Sequence, residues 1–145
     1  MHNFPVPDQG LVVTHFLTVR DVARSRLFYA EIFGGQVIHD KDPAVVKIAN
    51  SWIIMNPGGG PTPDKPDVTL APPQSTSVVS AFLNVRVADI ATFYSAALAR
   101  GAEFLTPPIN KGTEWRCYLR DPDGYLIEVG QALTLFGVAQ SRPEA

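Results

Sequence analysis

The same order of predicted elements occurs twice along this chain of 145 residues. Each copy begins with a β-rich segment, passes through an aspartate into a helical pattern of apolar residues, and ends that pattern at a glycine. The two aspartates, Asp21 and Asp89, lie 68 positions apart, and each is a good helix N-cap because its carboxylate accepts hydrogen bonds from the first-turn amides. Gly34 and Gly101 supply the left-handed residue that ends each helix. The repeat predicts two similar β-α-β-β-β modules.

A segment rich in proline and glycine separates the two copies. Six of the 13 prolines lie in it, and proline cannot continue a helix because it lacks an amide donor and fixes φ. We therefore predict a single domain over residues 1–145, with module one at about 11–56, a linker at 57–76, module two at about 77–131 and a short tail at 132–145. Neither module covers its sheet alone, so the two are expected to pair into one larger curved sheet.

Short β-rich runs predict the strands of each module. They lie at 12–19, 36–39, 45–49 and 52–55 in module one, and at 78–87, 103–106, 114–120 and 125–129 in module two. The last two are joined by Asp121-Pro122-Asp123-Gly124, a turn with proline at its second position and glycine where φ must be positive. A three-residue loop of this kind places Tyr118 opposite Glu128 in the hairpin.

Composition excludes several classes of protein. The net charge is −2 and only 18% of residues are charged, which disfavours a nucleic-acid binder because such proteins need clustered lysine and arginine. No apolar run approaches the ~20 residues that a membrane span needs, and the N-terminal residues do not resemble a signal peptide. Cys117 is the only cysteine, so no disulfide scaffold is possible. A cytoplasmic protein is expected.

Two segments of the chain resemble the vicinal oxygen chelate superfamily. They are FLTVRDVARSRLFYAEIFGG and, much later, YLRDPDGYLIEVG. The superfamily includes glyoxalase I, fosfomycin-resistance proteins, bleomycin-resistance proteins and extradiol dioxygenases, and the resemblance covers about residues 11–131. It implies an α+β fold in which two βαβββ modules form a curled mixed sheet around a cavity, often in a homodimer. Enzymes of the superfamily hold a divalent metal that stabilises an oxyanion on a chelated substrate.

The resemblance also implies four metal-ligand positions, which can be counted from the capping aspartates. They fall on Thr14, Phe82, either Ile54 or Met55, and Glu128. Only Glu128 is a good ligand, because a hydroxyl binds metals poorly and a phenyl ring does not bind them. His15 is one position away and should face the helix with Leu17 and Val19, although a β-bulge would turn it inward. An incomplete metal site is predicted, and a divalent metal on Glu128 and His15 stays open as the alternative.

Side-chain alternation along the strands predicts which residues face the cavity. These candidate ligand-binding residues are Thr14, Phe16, Phe82, Asn84, Arg86, Arg116, Tyr118, Leu126 and Glu128. Arg116 is expected diagonally across from Glu128, where its guanidinium compensates the buried carboxylate without a metal. Alternatively, Arg116 covers apolar surface with its stem.

These residues predict a protein that binds a small organic molecule, anionic or carbonyl-bearing, without a complete metal site. No cofactor is fixed by the sequence. One alternative is a metal-dependent, glyoxalase-like lyase or isomerase in which Glu128 is a metal ligand or the general base. Another is a non-catalytic dimerisation or regulatory module. No nucleic-acid or membrane partner is expected.

Overall fold

A computed structural model of the protein describes residues 4–135 and 138–139. The chain divides into two compact units, residues 1–74 and residues 75–145. Each unit contains one helix and one mixed β-sheet. Within the described residues, neither helix is long and apolar enough to cross a membrane.

The first unit is a four-stranded sheet with one helix against it. Its elements are β1 (His15–Thr18), α1 (Val22–Phe33), β2 (Gln36–His39), β3 (Ala44–Ile48) and β4 (Ser51–Asn56). The strand order is β1-β4-β3-β2, with β1 parallel to β4 and the other pairs antiparallel. Helix α1 packs on β3 and β4.

The second unit repeats this arrangement and adds short strands. Its elements are β5 (Leu83–Arg86), α2 (Ile90–Ala99), β6 (Glu103–Phe104), β7 (Ile109–Asn110), β8 (Glu114–Arg120), β9 (Leu126–Ala132), β10 (Thr134–Leu135) and β11 (Val138–Ala139). The main sheet has the order β5-β9-β8-β6, with β5 parallel to β9 and β7 also pairing with β8. Strands β10 and β11 form a separate pair.

The capping signals act as the sequence predicts. The Asp21 and Asp89 carboxylates each accept a hydrogen bond of 3.0 Å, from the amides of Arg24 and Thr92 respectively. Gly34 ends α1 in the left-handed region at φ 64°. The side-chain acceptors satisfy first-turn amides that would otherwise lack partners, so both helices begin where expected.

The predicted α+β fold class is confirmed, with three differences in detail. The described strands of the two modules form two main sheets, one in each unit, where the sequence predicted one larger curved sheet. Strands β1 and β5 begin at His15 and Leu83, because their parallel partners begin pairing only at Ile53 and Ile127. The predicted linker contains its own structure, since Gly59 and Leu70 exchange two backbone hydrogen bonds of 2.9 and 2.8 Å. The end of the predicted tail, residues 140–145, lies outside the described residues.

The core of each unit lies on the helix side of its sheet. Alternate residues of the strands supply it, as side-chain alternation requires. The buried apolar residues that alternate in this way include Leu17, Val19, Ile53 and Met55 in the first unit, and Cys117, Leu119, Ile127 and Val129 in the second. The residues between them face the other way, and in the second unit most of those are polar.

Candidate functional site

Six polar side chains share one face of the second sheet, the face that alternates with the buried core. Strand β5 contributes Asn84 and Arg86, strand β8 contributes Glu114, Arg116 and Tyr118, and strand β9 contributes Glu128. We call these six residues the polar face.

Glu128 is the most buried member of the polar face, with 6% of its surface exposed. The Tyr118 hydroxyl donates a hydrogen bond of 2.8 Å to Oε2, and Asn84 Nδ2 donates one of 3.4 Å to Oε1. Arg86 Nη1 lies 3.5 Å from Oε1. A buried carboxylate is costly unless it is paired and hydrogen-bonded, and these three groups satisfy that need.

Strand register brings these groups together. Asn84 is beside Glu128 in the parallel β5–β9 ladder, and Tyr118 is opposite it in the antiparallel β8–β9 hairpin. The turn that sets the hairpin has Gly124 at φ 89°, and Asp121 Oδ1 accepts from two turn amides at 2.9 Å. The predicted pairing of Tyr118 with Glu128 is confirmed.

Arg86 links two carboxylates. Besides its contact with Glu128, its Nη2 lies 2.5 Å from Glu114 Oε2, and Glu114 Oε1 accepts from Arg116 Nη1 at 3.1 Å. The Arg86 guanidinium lies over Gly130, where a Cβ atom would collide with it. The absent side chain of Gly130 therefore makes the space in which Arg86 reaches across β9.

The predicted pair between Arg116 and Glu128 is corrected by this arrangement. Arg86 is the cation beside Glu128, and Arg116 pairs with Glu114 instead. The reason lies in the ladder. Arg116 is opposite Gly130, two residues beyond Glu128, and Glu114 lies two residues from Arg116 on the same face of the same strand. The nearer carboxylate takes the Arg116 side chain.

The acids of the polar face are more buried than its arginines. The Glu128 and Glu114 side chains are 7% and 16% exposed, whereas those of Arg86 and Arg116 are 45% and 32% exposed. Each guanidinium has five N–H groups. The buried acids therefore pair with some of these groups, while other N–H groups of the two arginines remain accessible to solvent.

Tyr118 and Phe82 form an aromatic edge beside this network. Their rings make an edge-to-face contact with centroids 5.9 Å apart, and Phe82 is exposed. The Arg116 guanidinium lies 5.8 Å from the Tyr118 ring centroid. Burial raises the pKa of the Tyr118 hydroxyl, and the hydrogen bond to the negative Glu128 raises it further. Tyr118 is therefore protonated at neutral pH and remains a donor.

The other candidate residues make no contact in the hydrogen-bond network around Glu128, as far as the described residues show. Thr14 and His15 are half-buried and Phe16 is exposed, all in the first unit, and Leu126 is half-buried opposite Arg120. Their part in ligand binding stays a prediction. Burial lowers the pKa of His15. His15 lies two residues before buried Leu17 on the same strand, so both share the face that is expected to meet the helix.

The residues do not fit the divalent metal that the resemblance implies. In the described part of the chain, no three histidine, cysteine, aspartate or glutamate side chains come together as a group that could hold a metal ion. The neighbours of Glu128 are a guanidinium, a phenol and an amide nitrogen, and a positive guanidinium repels a second cation. Strand register also decides between Ile54 and Met55. Phe16 pairs with Ile54 as Asn84 pairs with Glu128, so Ile54 is the first-unit counterpart of Glu128. Ile54 cannot bind a metal.

Two members of the site were missed by the sequence reasoning. Glu114 alternates with Arg116 and Tyr118 on one strand, so the same counting extended by two residues would have found it. Gly130 is two residues beyond Glu128 and opposite Arg86, a position that becomes evident only once the β5–β9 register is known.

Residues 11–129 match the Glyoxalase/Bleomycin resistance protein/Dioxygenase superfamily. The chain belongs to this superfamily. Among curated proteins, none has significant sequence similarity to the chain.

Several solved protein structures have the same fold as this chain. TnmS3, an antibiotic binding protein from Streptomyces sp. CB03234, is 19% identical with a TM-score of 0.62, covering 88% of this chain and 99% of its own. The fosfomycin resistance protein FosX from Listeria monocytogenes is 17% identical with a TM-score of 0.60, covering 86% and 94%. A family enzyme from Burkholderia phytofirmans PsJN is 20% identical with a TM-score of 0.61, covering 81% and 95%. These identities establish the fold, and a fold alone does not establish function.

Proposed function

We propose that the protein binds a small organic molecule bearing a carboxylate or carbonyl group on the polar face, without a metal ion. The observation that carries this proposal is the position of Arg86. Its guanidinium is held by two carboxylates, yet the side chain is 45% exposed. A fixed and accessible guanidinium is a suitable donor for an oxygen-bearing ligand.

The buried acids reduce the cost of binding. A free arginine loses side-chain entropy when a ligand immobilises it. Arg86 and Arg116 are already restrained by Glu114, at 2.5 and 3.1 Å, so a ligand meets donors that are in place. The two acids and two arginines together are formally neutral. The exposed N–H groups of the arginines can still donate hydrogen bonds to an incoming anion.

The aromatic edge indicates the rest of the ligand. Phe82 is exposed and its ring meets that of Tyr118 edge to face, which leaves flat apolar surface next to the arginines. Pockets for small molecules combine apolar walls with a few polar groups that fix orientation. A planar or cyclic apolar body carrying one carboxylate or carbonyl group matches this combination. Binding of a small molecule is also what the name of TnmS3, an antibiotic binding protein, describes for a protein of this fold.

Calorimetric titration with matched ligands tests the proposal. We expect aromatic carboxylates such as 1-naphthoate to bind saturably with EDTA present, and the corresponding alcohol to bind at least about tenfold more weakly. Arg86→Met should weaken carboxylate binding by a similar factor. Arg100→Met is the matched control, because Arg100 is an exposed arginine at the end of α2 in the same unit.

Other outcomes favour the alternatives. Stoichiometric binding of a divalent ion that Glu128→Ala abolishes would replace the proposal with a metal-dependent lyase or isomerase. Failure of chemically varied ligands to bind would favour a dimerisation or regulatory module. The homodimer and the cytoplasmic location remain predictions, and sedimentation equilibrium of the purified chain checks the first.

A further inference from the structure

A cavity lies on the opposite face of the second sheet from the polar face. It has a volume of about 360 Å³. Residues of α2, Pro108 before β7, and one residue each of β8 and β9 line it. Two of its lining residues, Trp115 and Gln131, are ladder partners that alternate with Arg116 and Gly130. Because successive side chains point to opposite faces of a sheet, this cavity is separate from the polar face.

Gln131 has an unused donor at this cavity. Its Oε1 accepts a hydrogen bond of 2.9 Å from the Ile90 amide at the start of α2. Because the Ile90 N–H needs an acceptor, the side-chain oxygen of Gln131 must face it. The side-chain nitrogen of Gln131 therefore points away from Ile90. Within residues 4–135 and 138–139, no acceptor takes a hydrogen bond from that nitrogen, and Gln131 is only half-buried. The side chain is thus fixed by the helix and still able to donate.

Flat side chains line the rest of the cavity. Trp115 is 36% exposed and presents its indole there. Tyr94 also lines it, and its ring is held by an edge-to-face contact with Phe104 at 4.7 Å between centroids. Pro108 adds a further apolar surface. Small-molecule pockets begin at about 300 Å³ and are mostly apolar with a few placed polar groups, so the cavity suits one small ring system.

We infer that this cavity binds a small planar aromatic molecule carrying a hydrogen-bond acceptor. The ring contacts Trp115 and Tyr94, and the acceptor takes a hydrogen bond from Gln131 Nε2. The inference is independent of the proposed function, since it uses no residue of the polar face.

Two-ring probes that differ in one atom test it. Quinoline has a ring nitrogen that accepts a hydrogen bond, and naphthalene has the same shape without it. We expect quinoline to shift the indole ¹H–¹⁵N signal of Trp115 saturably, and to bind at least about fivefold more tightly than naphthalene. Trp52 is the only other tryptophan, so Trp52→Phe assigns the two signals.

One substitution isolates the donor. Gln131→Glu keeps an oxygen for the Ile90 amide and removes the N–H group, so quinoline affinity should fall about tenfold while naphthalene affinity is unchanged. Gln74→Glu, an exposed glutamine in the first unit, controls for the added charge. Ser95→Leu fills the cavity from an exposed helix position and should abolish binding of both probes.

Two results would overturn the inference. One is a Trp115 signal that does not saturate up to the solubility limit of quinoline. The other is equal binding of quinoline to the wild-type protein and Gln131→Glu, with circular dichroism showing both folded.

Discussion

The two sheets have the same strand order but opposite chemistry at their centres. In each, the first strand runs parallel beside the last, which pairs in turn with the strand before it. The 68-residue offset between the helix caps aligns the two ladders position by position. We compare one row of ladder partners that crosses three neighbouring strands of each sheet. This row consists of Phe16, Ile54 and Val45 in the first unit, and of Asn84, Glu128 and Tyr118, the polar row, in the second.

This contrast shows that the backbone does not require the polar row. An apolar row packs on the same ladder without needing partners, whereas a carboxylate there needs several donors at once. Glu128 has all three of its donors within its own unit. We therefore place the proposed binding site in the second unit, and regard the first as the same scaffold without that network.

Removing Arg86, the cation beside Glu128, should have the largest effect. Arg86→Met leaves Glu128 buried without its ion pair, so we expect the free energy of unfolding to fall by about 2–3 kcal/mol at pH 7. Urea unfolding measures the change. This loss depends on the negative charge of Glu128. In a Glu128→Gln background, Arg86→Met should therefore lower the free energy of unfolding by only about 1 kcal/mol or less. Equal costs in both backgrounds would show that Arg86 stabilises the fold through its pair with Glu114 or through packing of its stem, and not through Glu128.

Tyr118→Phe makes the second unit resemble the first at one position. The variant keeps the ring that contacts Phe82 and removes the hydroxyl that donates to Glu128 at 2.8 Å. A hydrogen bond to a charged group contributes about 1.5–3 kcal/mol. Because solvent reaches part of this site, we expect a loss near 1.5 kcal/mol in urea unfolding. Tyr94→Phe, which keeps the ring that contacts Phe104, is a control for loss of a tyrosine hydroxyl. No loss in Tyr118→Phe would mean that water replaces the hydroxyl.

The parts of the fold that sequence predicted are those fixed by local signals. Asp21 and Asp89 cap their helices through amides three residues away, and the turn at Gly124 sets the register that pairs Tyr118 with Glu128. The partner of Glu128 was not predictable in the same way. Arg86 lies far away in sequence and reaches Glu128 only through the parallel β5–β9 pairing and the space over Gly130. Pairing between distant strands leaves no local signal.

Gly130→Ala tests that space directly. The added methyl group meets the Arg86 guanidinium, a flexible group that can move away, so the fold should survive with a loss of about 1 kcal/mol. Asn56 occupies the corresponding position of the first unit, opposite the short Thr18. The loss should disappear in an Arg86→Met background. Gly60→Ala, where an added Cβ meets nothing within 4 Å, is the matched control for a glycine replacement.

His15 offers the smallest and most specific test. Its counterpart in the second unit is Leu83, and their ladder partners Ile53 and Ile127 are both 1% exposed. Burial lowers the pKa of His15 below its usual value near 6.5, so the unfolded chain binds the proton more readily. Stability should therefore be greatest above pH 6.5 and decline as the pH falls from there toward the lowered value. We expect His15→Leu to flatten this decline below pH 6.5 in urea unfolding. The same slope in the variant and the wild-type protein would place His15 in a solvated environment and remove the parallel with Leu83.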